Sequence, residues 1–232
     1  MKEYVWFDLG YTLLYLNREN AYRQALKQIG IEISLDKIDR GFHFADKLFM
    51  REFHGMFGVV EPAVYMPWFI GRMNYEIGIH IDINDIIKRW MAIRHAQPRQ
   101  WEAYAYCRPV LADLKAGGYK LGVISNWDKS AKSLLDEHGL TGYFDTIIIS
   151  SEVGVSKPEP EIFEIAFEQS GSTPEKGFYV GDNYYDDAVG SRSVGMDCCI
   201  INRFGNFGVE ELKGCGIIPD VRGVKPFLEW MK

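Results

Sequence analysis

The sequence predicts an α/β protein, in which a parallel-sheet core carries an inserted all-α domain. Three observations support this fold class. From Val110 onward, short apolar segments alternate with helix-length segments, an order typical of βαβ units. Residues 16–103 instead show apolar side chains at helical spacing. That stretch carries 12 Lys and Arg against 11 Asp and Glu, whereas the other residues carry 14 against 21, so a near-neutral segment interrupts an acidic one.

Five segments rich in β-branched or aromatic residues are predicted strands: Tyr4–Leu9, Lys120–Ser125, Thr146–Ser150, Phe178–Val180 and Cys198–Ile201. Two helices are predicted between the later strands. One covers Lys129–His138, with Asp128 as its candidate N-cap and Gly139 after its end. The other covers Glu161–Gln169 and follows Pro160. Strands that alternate with helices in this way form a parallel sheet covered on both faces.

The insertion after the first strand is predicted to contain four helices: Asn20–Ile29, Asp36–His54, Glu61–Ile77 and Asn84–Ala96. We therefore divide the chain into a Rossmann-like core, residues 1–15 and 104–232, and a helical cap, residues 16–103. An aromatic series in the cap is expected to form the core of that domain rather than a substrate cage: Phe42, Phe49, Phe53, Phe57, Tyr65, Trp68 and Phe69.

Composition restricts the classes of partner. The net charge of the 232 residues is -6, whereas phosphate backbones require clustered Lys and Arg, so we expect no nucleic-acid partner. No window approaches the roughly 20 apolar residues of a membrane span, so we expect no membrane partner. The four cysteines lack the spacing of a zinc site or a disulfide framework, and the first residues lack a signal-peptide pattern. Both observations predict a cytoplasmic protein with reduced thiols.

Polar residues follow the predicted strands at their carboxyl ends: Asp8 and Thr12, then Ser125 and Asn126, then Lys157, and finally Asp182, Asp186 and Asp187. Ligands of parallel α/β sheets bind at these ends, so we expect the side chains to converge. Grouped carboxylates repel one another unless a cation joins them, and Mg²⁺ prefers carboxylate and carbonyl oxygens. A carboxylate nucleophile beside a metal ion and a lysine predicts phosphoryl transfer through an aspartyl-phosphate.

The order of these motifs resembles the haloacid dehalogenase-like hydrolase superfamily, in its subgroup with a helical cap inserted after the first strand. Four motifs carry the resemblance, which covers the whole chain: Asp8-x-x-x-Thr12, Ser125-Asn126, Lys157-Pro158, and Gly181-Asp182 with Asp187. The resemblance implies that Asp8 is the nucleophile. It also implies a Mg²⁺ site formed by Asp8, the carbonyl of Gly10 and Asp182, with Asp187 either at the metal or orienting Lys157.

The same resemblance implies the remaining roles. Thr12 and Ser125 would bind the transferring phosphoryl oxygens, with Asn126 beside them at the substrate. Lys157 would neutralise charge on the nucleophile and the phosphoryl group. Asp186 is the alternative to Asp187, because the spacing of this motif varies by one residue in the superfamily.

The first motif departs from the phosphatases of this superfamily, which carry a second aspartate two residues after the nucleophile. Here that residue is Gly10, so no side chain protonates the leaving oxygen or activates water. General acid–base catalysis contributes about 10²–10⁴ in rate, and we therefore expect slow turnover of unactivated esters. Two features could compensate: an acidic leaving group, or another side chain among His43, His54, Glu52 and Tyr11.

The predicted function is that of a Mg²⁺-dependent phosphoric monoester hydrolase acting on a small phosphorylated metabolite. One alternative is a sensor or interaction protein that binds phosphate and Mg²⁺ without turnover. The other alternative is a metal-free dehalogenase. Dehalogenases of the superfamily also lack the second aspartate, but they have lost the acidic pair that this chain keeps as Asp182 and Asp187.

Overall fold

A computed structural model describes residues 2–53, 56, 60–97 and 101–231 of the chain. Its strands are β1 (Tyr4–Phe7), β2 (Leu14–Leu16), β3 (Trp101–Ala103), β4 (Lys120–Ser125), β5 (Thr146–Ile149), β6 (Gly177–Gly181), β7 (Asp197–Ile201) and β8 (Gly216–Ile218). Its α-helices are α1 (Arg18–Gln28), α2 (Leu35–Glu52), α3 (Pro62–Ile77), α4 (Ile83–His95), α5 (Cys107–Ala116), α6 (Ala131–Glu137), α7 (Ser150–Val153), α8 (Pro160–Ser170), α9 (Gly190–Ser193) and α10 (Val224–Trp230). The elements form two compact units.

The first unit, the core unit, consists of Met1–Tyr15, Ala103–Asn206 and Glu210–Lys232. It contains a six-stranded sheet in the order β5-β4-β1-β6-β7-β8, and all neighbouring strands are parallel. The predicted α/β fold with a Rossmann-like parallel sheet is therefore confirmed. From β1 the chain builds outward through β4 and β5 on one side and through β6, β7 and β8 on the other. The strand order thus reverses at β1, and ligands of open parallel sheets bind at such a point.

Both faces of the central strands are covered. All four residues of β1 and all five of β6 are buried, which explains why these strands are almost continuously apolar. The largest fully buried side chains here include Trp6, Phe163 and Tyr179. A polar group inside such a strand must find its hydrogen-bond partner within the protein, because water does not reach it.

The strands that sequence reasoning missed are three residues long. β2 and β3 form a separate two-stranded sheet, and β8 extends the main sheet beyond β7. Segments this short give too little apolar pattern to be recognised. The helix predicted from Lys129 begins later, at Ala131, because the Asp128 carboxylate accepts a hydrogen bond from the Ser130 amide (2.7 Å) in a preceding turn.

The second unit, the helical unit, consists of Leu16–Glu102 and Phe207–Val209 and contains α1 to α4. The four predicted helices are all present, with described ends within two residues of the predicted ones. The predicted end at His54 and the neighbouring Phe57 lie outside the described residues. Of the predicted aromatic series, Phe42, Phe49 and Phe69 are buried as expected, together with Tyr22 and Trp90. The prediction was wrong for Trp68, which is 53% exposed. None of the helices formed by the described residues combines the length and apolarity needed to span a membrane.

Residues 207–209 pack against α2 although they lie far from it in the sequence. The His43 ring Nε2 lies 3.0 Å from the Phe207 carbonyl oxygen, at hydrogen-bond distance, and the two rings stack with centroids 5.9 Å apart. Gly208 has a φ of +80°, and a Cβ at this position would lie 2.8 Å from the Cβ of Lys47. Both observations require glycine here. The helical unit therefore includes residues 207–209, which the helical periodicity of the sequence does not predict.

We expect His43 to make folding stability fall at acidic pH. Burial lowers the pKa of His43 to about 4, and the positive charge of Lys47 lowers it as well. The Phe207 carbonyl and Asp46 raise the pKa, but their effect is smaller than that of burial. The unfolded chain, with a His pKa of about 6.5, then binds the proton more readily than the folded chain. Stability should be full above pH 6.5 and decline as the pH falls towards 4.

The measurement is urea unfolding at pH 7.5 and 4.5 of the wild type and His43→Gln. Because His43 is partly exposed, we expect it to account for about 1–3 kcal/mol of the loss in the free energy of unfolding. The variant should lose less than the wild type over this interval. Equal losses in the two proteins would contradict the assignment.

Candidate active site

Three neighbouring strands bring polar side chains to one edge of the sheet. Asp8 directly follows β1, Ser125 ends β4 and Asp182 directly follows β6. β1 lies between the other two strands, and the Asp8 amide continues the pairing by donating to the Val180 carbonyl (2.9 Å). The edge formed by the carboxyl ends of these strands is therefore where the predicted site residues meet.

The Asp8 carboxylate is oriented by two donors on the same oxygen. The Ser125 hydroxyl donates to Oδ1 at 2.8 Å, and the Lys157 ammonium donates to Oδ1 at 2.8 Å. Within the described part of the chain, no donor bonds the second oxygen, Oδ2. One oxygen thus fixes the direction of the carboxylate, and the other remains available to a cation or an electrophile.

Lys157 is the cationic centre of the site and is 5% exposed. Its ammonium donates to Asp8 Oδ1 (2.8 Å), Asp187 Oδ1 (2.6 Å) and the Tyr179 hydroxyl (2.8 Å). Three acceptors match the three hydrogens of the group. Burial alone would lower the pKa of Lys157, but the negative charges of Asp187 and Asp8 outweigh it and raise the pKa well above its ordinary value. The lysine therefore carries its charge throughout the physiological pH range.

Asn126 holds the main chain of Lys157. Its side-chain nitrogen donates to the Lys157 carbonyl (2.8 Å), and its side-chain oxygen accepts from the Lys157 amide (2.8 Å). This pair of bonds ties the end of β4 to the loop that carries the lysine. The predicted contact of Asn126 with substrate stays a prediction, and the structure gives the residue a positioning role beside it.

Three carboxylates converge next to the lysine. Asp8, Asp182 and Asp187 are buried, and each offers an oxygen within 4.8 Å of the others. If all three carboxylates were ionised, the single positive charge of Lys157 would leave two excess negative charges in this buried cluster. Burial raises the pKa of Asp8 above its ordinary value, and the charge of Asp187 acts in the same direction. These hard oxygen donors fit Mg²⁺, and a divalent cation would offset the excess charge.

Asp187 and its alternative in the last motif, Asp186, differ in their contacts. Asp187 is fully buried, with Oδ1 on Lys157 and Oδ2 accepting from the Asn183 amide (2.9 Å). A Cβ on Gly181 would overlap this carboxylate, so glycine is required there. Asp186 instead accepts from the Asn183 side chain (2.9 Å). Burial and the nearby charge of Asp187 raise the pKa of Asp186 to about 7. Of the two, Asp187 is the residue that contacts the lysine.

The turn after Asp8 contains Thr12. The amides of Thr12 and Leu13 both donate to the Leu9 carbonyl, and Tyr11 adopts a left-handed conformation with a φ of 49°. The Thr12 hydroxyl is buried and has no hydrogen-bond partner among the described residues. An unsatisfied buried hydroxyl is costly, and an oxygen-rich ligand such as a phosphoryl group would satisfy it. Gly10 lies within this turn and offers no side-chain acid or base.

Comparison with known proteins assigns this chain to a family. The family model for haloacid dehalogenase-like hydrolases matches residues 7–201. The chain belongs to this family. This haloacid dehalogenase-like hydrolase is 28% identical over 206 residues to haloacid dehalogenase-like hydrolase domain-containing protein 3 of Danio rerio. The aligned residues are 86% of this chain and 85% of that protein.

Phosphatases are among the relatives of this haloacid dehalogenase-like hydrolase. Glyceraldehyde 3-phosphate phosphatase of Methanothermobacter thermautotrophicus is 39% identical over 98 residues, which are 40% of this chain and 41% of that enzyme. Among solved structures, the hydrolase YfnB of Bacillus subtilis, crystallised with magnesium, has a TM-score of 0.63 at 19% identity, with 98% of each chain covered. That likeness supports the fold alone. The family match shows a hydrolase of this family, and the sequence matches include a protein named as a phosphatase.

Sequence reasoning missed Tyr179 in the site of this haloacid dehalogenase-like hydrolase. Its hydroxyl accepts from Lys157 and donates to the Ile124 carbonyl (2.7 Å). The sequence signal was a tyrosine in the middle of a strand that is apolar on both faces, because a buried phenol requires a partner. Asn183 was missed too. Its backbone amide donates a hydrogen bond to the Asp187 carboxylate. Because a backbone amide makes this contact, the asparagine side chain gave no signal for it in the sequence.

Proposed function

We propose that this protein is a Mg²⁺-dependent phosphatase that hydrolyses a small phosphorylated metabolite through a phosphoryl group bound transiently to Asp8. The observation that supports it best is the Asp8 carboxylate, oriented by Ser125 and Lys157 on one oxygen and unbonded by described donors on the other. The sequence match to a glyceraldehyde 3-phosphate phosphatase supports a small phosphorylated substrate. The net charge of -6 supports the further proposal that nucleic acid is not the partner.

The chemistry proposed for the side chains is the one that the family resemblance implies, and their positions support it. In the first step Asp8 Oδ2 attacks phosphorus, a new O–P bond forms, and the bond to the leaving oxygen breaks. The positive charge of Lys157 and the Thr12 hydroxyl would offset the charge that develops on the phosphoryl oxygens, while the Ser125 hydroxyl holds Asp8. In the second step water attacks the same phosphorus and releases phosphate and the free carboxylate. Mg²⁺, held by Asp8, Asp182 and the Gly10 carbonyl with Asp187 close by, would supply further charge neutralisation.

The substrate class is narrowed by Gly10. Without a carboxylic acid at this position, an alkoxide leaving group has no proton donor at the first step, and water has no base at the second. An acyl, enol or aryl phosphate has an acidic leaving group that departs without protonation. We therefore propose that such activated phosphates are turned over faster than alkyl phosphates.

Hydrolysis of p-nitrophenyl phosphate with Mg²⁺ tests the proposal, since this leaving group needs no proton. We expect steady release of p-nitrophenolate, loss of that release in excess chelator, and only background in Asp8→Asn. Asp8→Asn keeps the size of the side chain but removes the nucleophilic charge. A wild-type rate equal to that of Asp8→Asn would reject the enzymatic function.

A sensor that binds phosphate and Mg²⁺ is the second candidate, and Gly10 is the observation that favours it. Calorimetric titration with inorganic phosphate separates the two. Tight, Mg²⁺-dependent binding without turnover would identify a sensor, whereas turnover in the first assay identifies the phosphatase. The third candidate, a metal-free dehalogenase, would release halide from a 2-haloacid in excess chelator. The clustering of Asp182 and Asp187 with Asp8 disfavours it.

A further inference from the structure

Tyr179 is the one neutral acceptor of the Lys157 ammonium among the described residues. The other two acceptors are the carboxylates of Asp8 and Asp187. A lysine donates only and a carbonyl accepts only. The Tyr179 hydroxyl, which lies 2.8 Å from Lys157 Nζ and 2.7 Å from the Ile124 carbonyl, must therefore accept from the first and donate to the second. Its single hydrogen is committed, so it is not a proton donor to substrate.

The tyrosine ring is held by packing. Tyr179 lies in the middle of β6, paired in register with Trp6 of β1 and Cys198 of β7, and it is fully buried. Its ring packs edge-on against Phe163 of α8, with centroids 5.7 Å apart. The position of the hydroxyl oxygen is thus fixed by the sheet and independent of the lysine, as a positioning group requires.

The hydroxyl also closes a ring of contacts around the nucleophile. It binds the Ile124 carbonyl, and the next residue, Ser125, donates to Asp8 Oδ1. Lys157 donates to the same Asp8 oxygen and to Tyr179. The two donors that orient Asp8 are therefore tied to each other through Tyr179. Without the Tyr179 hydroxyl, the Lys157 ammonium would keep only the carboxylates of Asp8 and Asp187 as partners. Its direction towards Asp8 would then no longer be fixed.

We propose that Tyr179 is a positioning residue for the reaction, which directs the Lys157 ammonium so that it holds Asp8 ready for attack. The expected effect of Tyr179 on kcat rests on the proposed phosphatase function. Its effect on the direction of the Lys157 ammonium does not depend on turnover. In Tyr179→Phe the ring and its packing remain and only the hydroxyl is removed. We expect kcat for p-nitrophenyl phosphate to fall roughly tenfold, as for one lost hydrogen bond, with KM changed less than about twofold.

The matched control is Tyr4→Phe. Tyr4 is also a buried tyrosine of the same sheet, and its hydroxyl donates to Thr146 (2.8 Å) at the amino end of β1, away from the strand ends that carry the site. Like Tyr179→Phe, the Tyr4→Phe substitution removes one hydroxyl oxygen from a buried tyrosine of the sheet. We expect Tyr4→Phe to keep the wild-type kcat. Equal losses of kcat in the two variants would show a general packing effect and overturn the proposal.

A second readout is the ¹H–¹⁵N signal of the Lys157 ammonium, assigned by its absence in Lys157→Arg. A buried ammonium with three acceptors exchanges its hydrogens slowly with water. We expect the signal to shift and its exchange to accelerate in Tyr179→Phe and to stay unchanged in Tyr4→Phe. An unchanged signal in Tyr179→Phe, or no slowly exchanging signal in the wild type, would overturn the proposal.

The two readouts separate the proposals. A wild type without metal-dependent turnover rejects the phosphatase function, and the ammonium signal then still decides whether Tyr179 orients Lys157. A changed signal with unchanged kcat in an active enzyme would overturn the role of Tyr179 in the reaction while leaving the phosphatase function intact.

Discussion

Gly10→Asp should hydrolyse an alkyl phosphate such as β-glycerol phosphate at least about a hundredfold faster than the wild type, the lower end of what general acid–base catalysis contributes. The new carboxyl group follows Asp8 by two residues, in the turn that also contains Thr12. There it would protonate the leaving oxygen at the first step and accept a proton from water at the second. The measurement is kcat/KM with Mg²⁺ for the alkyl phosphate and for p-nitrophenyl phosphate.

The gain should be larger for the alkyl phosphate, because nitrophenolate departs without a proton and profits only at the second step. Gly10→Asn is the matched control, since it adds a side chain of the same size without an ionisable group. Equal rates in Gly10→Asp and Gly10→Asn would show that the missing acid is not what limits this protein.

Lys157→Met should cost the metal-free protein about 3–5 kcal/mol of unfolding free energy, because it leaves buried carboxylates without their cation. Asp8 and Asp187 each lose an ammonium partner at 2.8 and 2.6 Å. Added Mg²⁺ should stabilise this variant more than the wild type, since the carboxylates that lose the lysine are the ones that would hold the ion. The measurement is urea unfolding with chelator and with Mg²⁺.

Two further variants make this result interpretable. Lys115→Met removes an equally short ion pair, to Asp145 at 2.8 Å, but on the surface, where the expected loss is below about 1 kcal/mol. Lys157→Met combined with Asp187→Asn removes one of the stranded charges and should recover part of the stability. A loss in Lys157→Met no larger than in Lys115→Met would contradict the electrostatic account of the site.

The α/β fold was predictable because its signals are local. Apolar runs such as Lys120–Ser125 and helical spacing in the insertion are set by which faces are buried, and the structure has strands and helices close to the predicted bounds. β8 and the pair β2–β3 were missed because three residues carry no readable period. The membership of residues 207–209 in the helical unit was missed because it depends on a contact distant in sequence, that of Phe207 with His43.

The site was predictable to the extent that its chemistry sits at strand ends. Asp8, Ser125, Lys157, Asp182 and Asp187 are brought together as the four motifs implied, while their catalytic roles stay predictions. The partners behind them were not predictable from spacing. Whether Asn126 faces a substrate or clamps a lysine, and whether a buried tyrosine meets a carbonyl or a cation, depends on the register of strands that neighbour each other only after folding.

Residues 207–209 also set the order in which the protein can be completed during translation. The four helices of the helical unit leave the ribosome early, but the segment that covers His43 follows about a hundred residues later, which at 5–20 residues per second takes roughly 5–20 s. During that interval the helices lack their last packing element, and the face of α2 around His43 is open to solvent. The helical unit is therefore complete only after residues 207–209 have been synthesised.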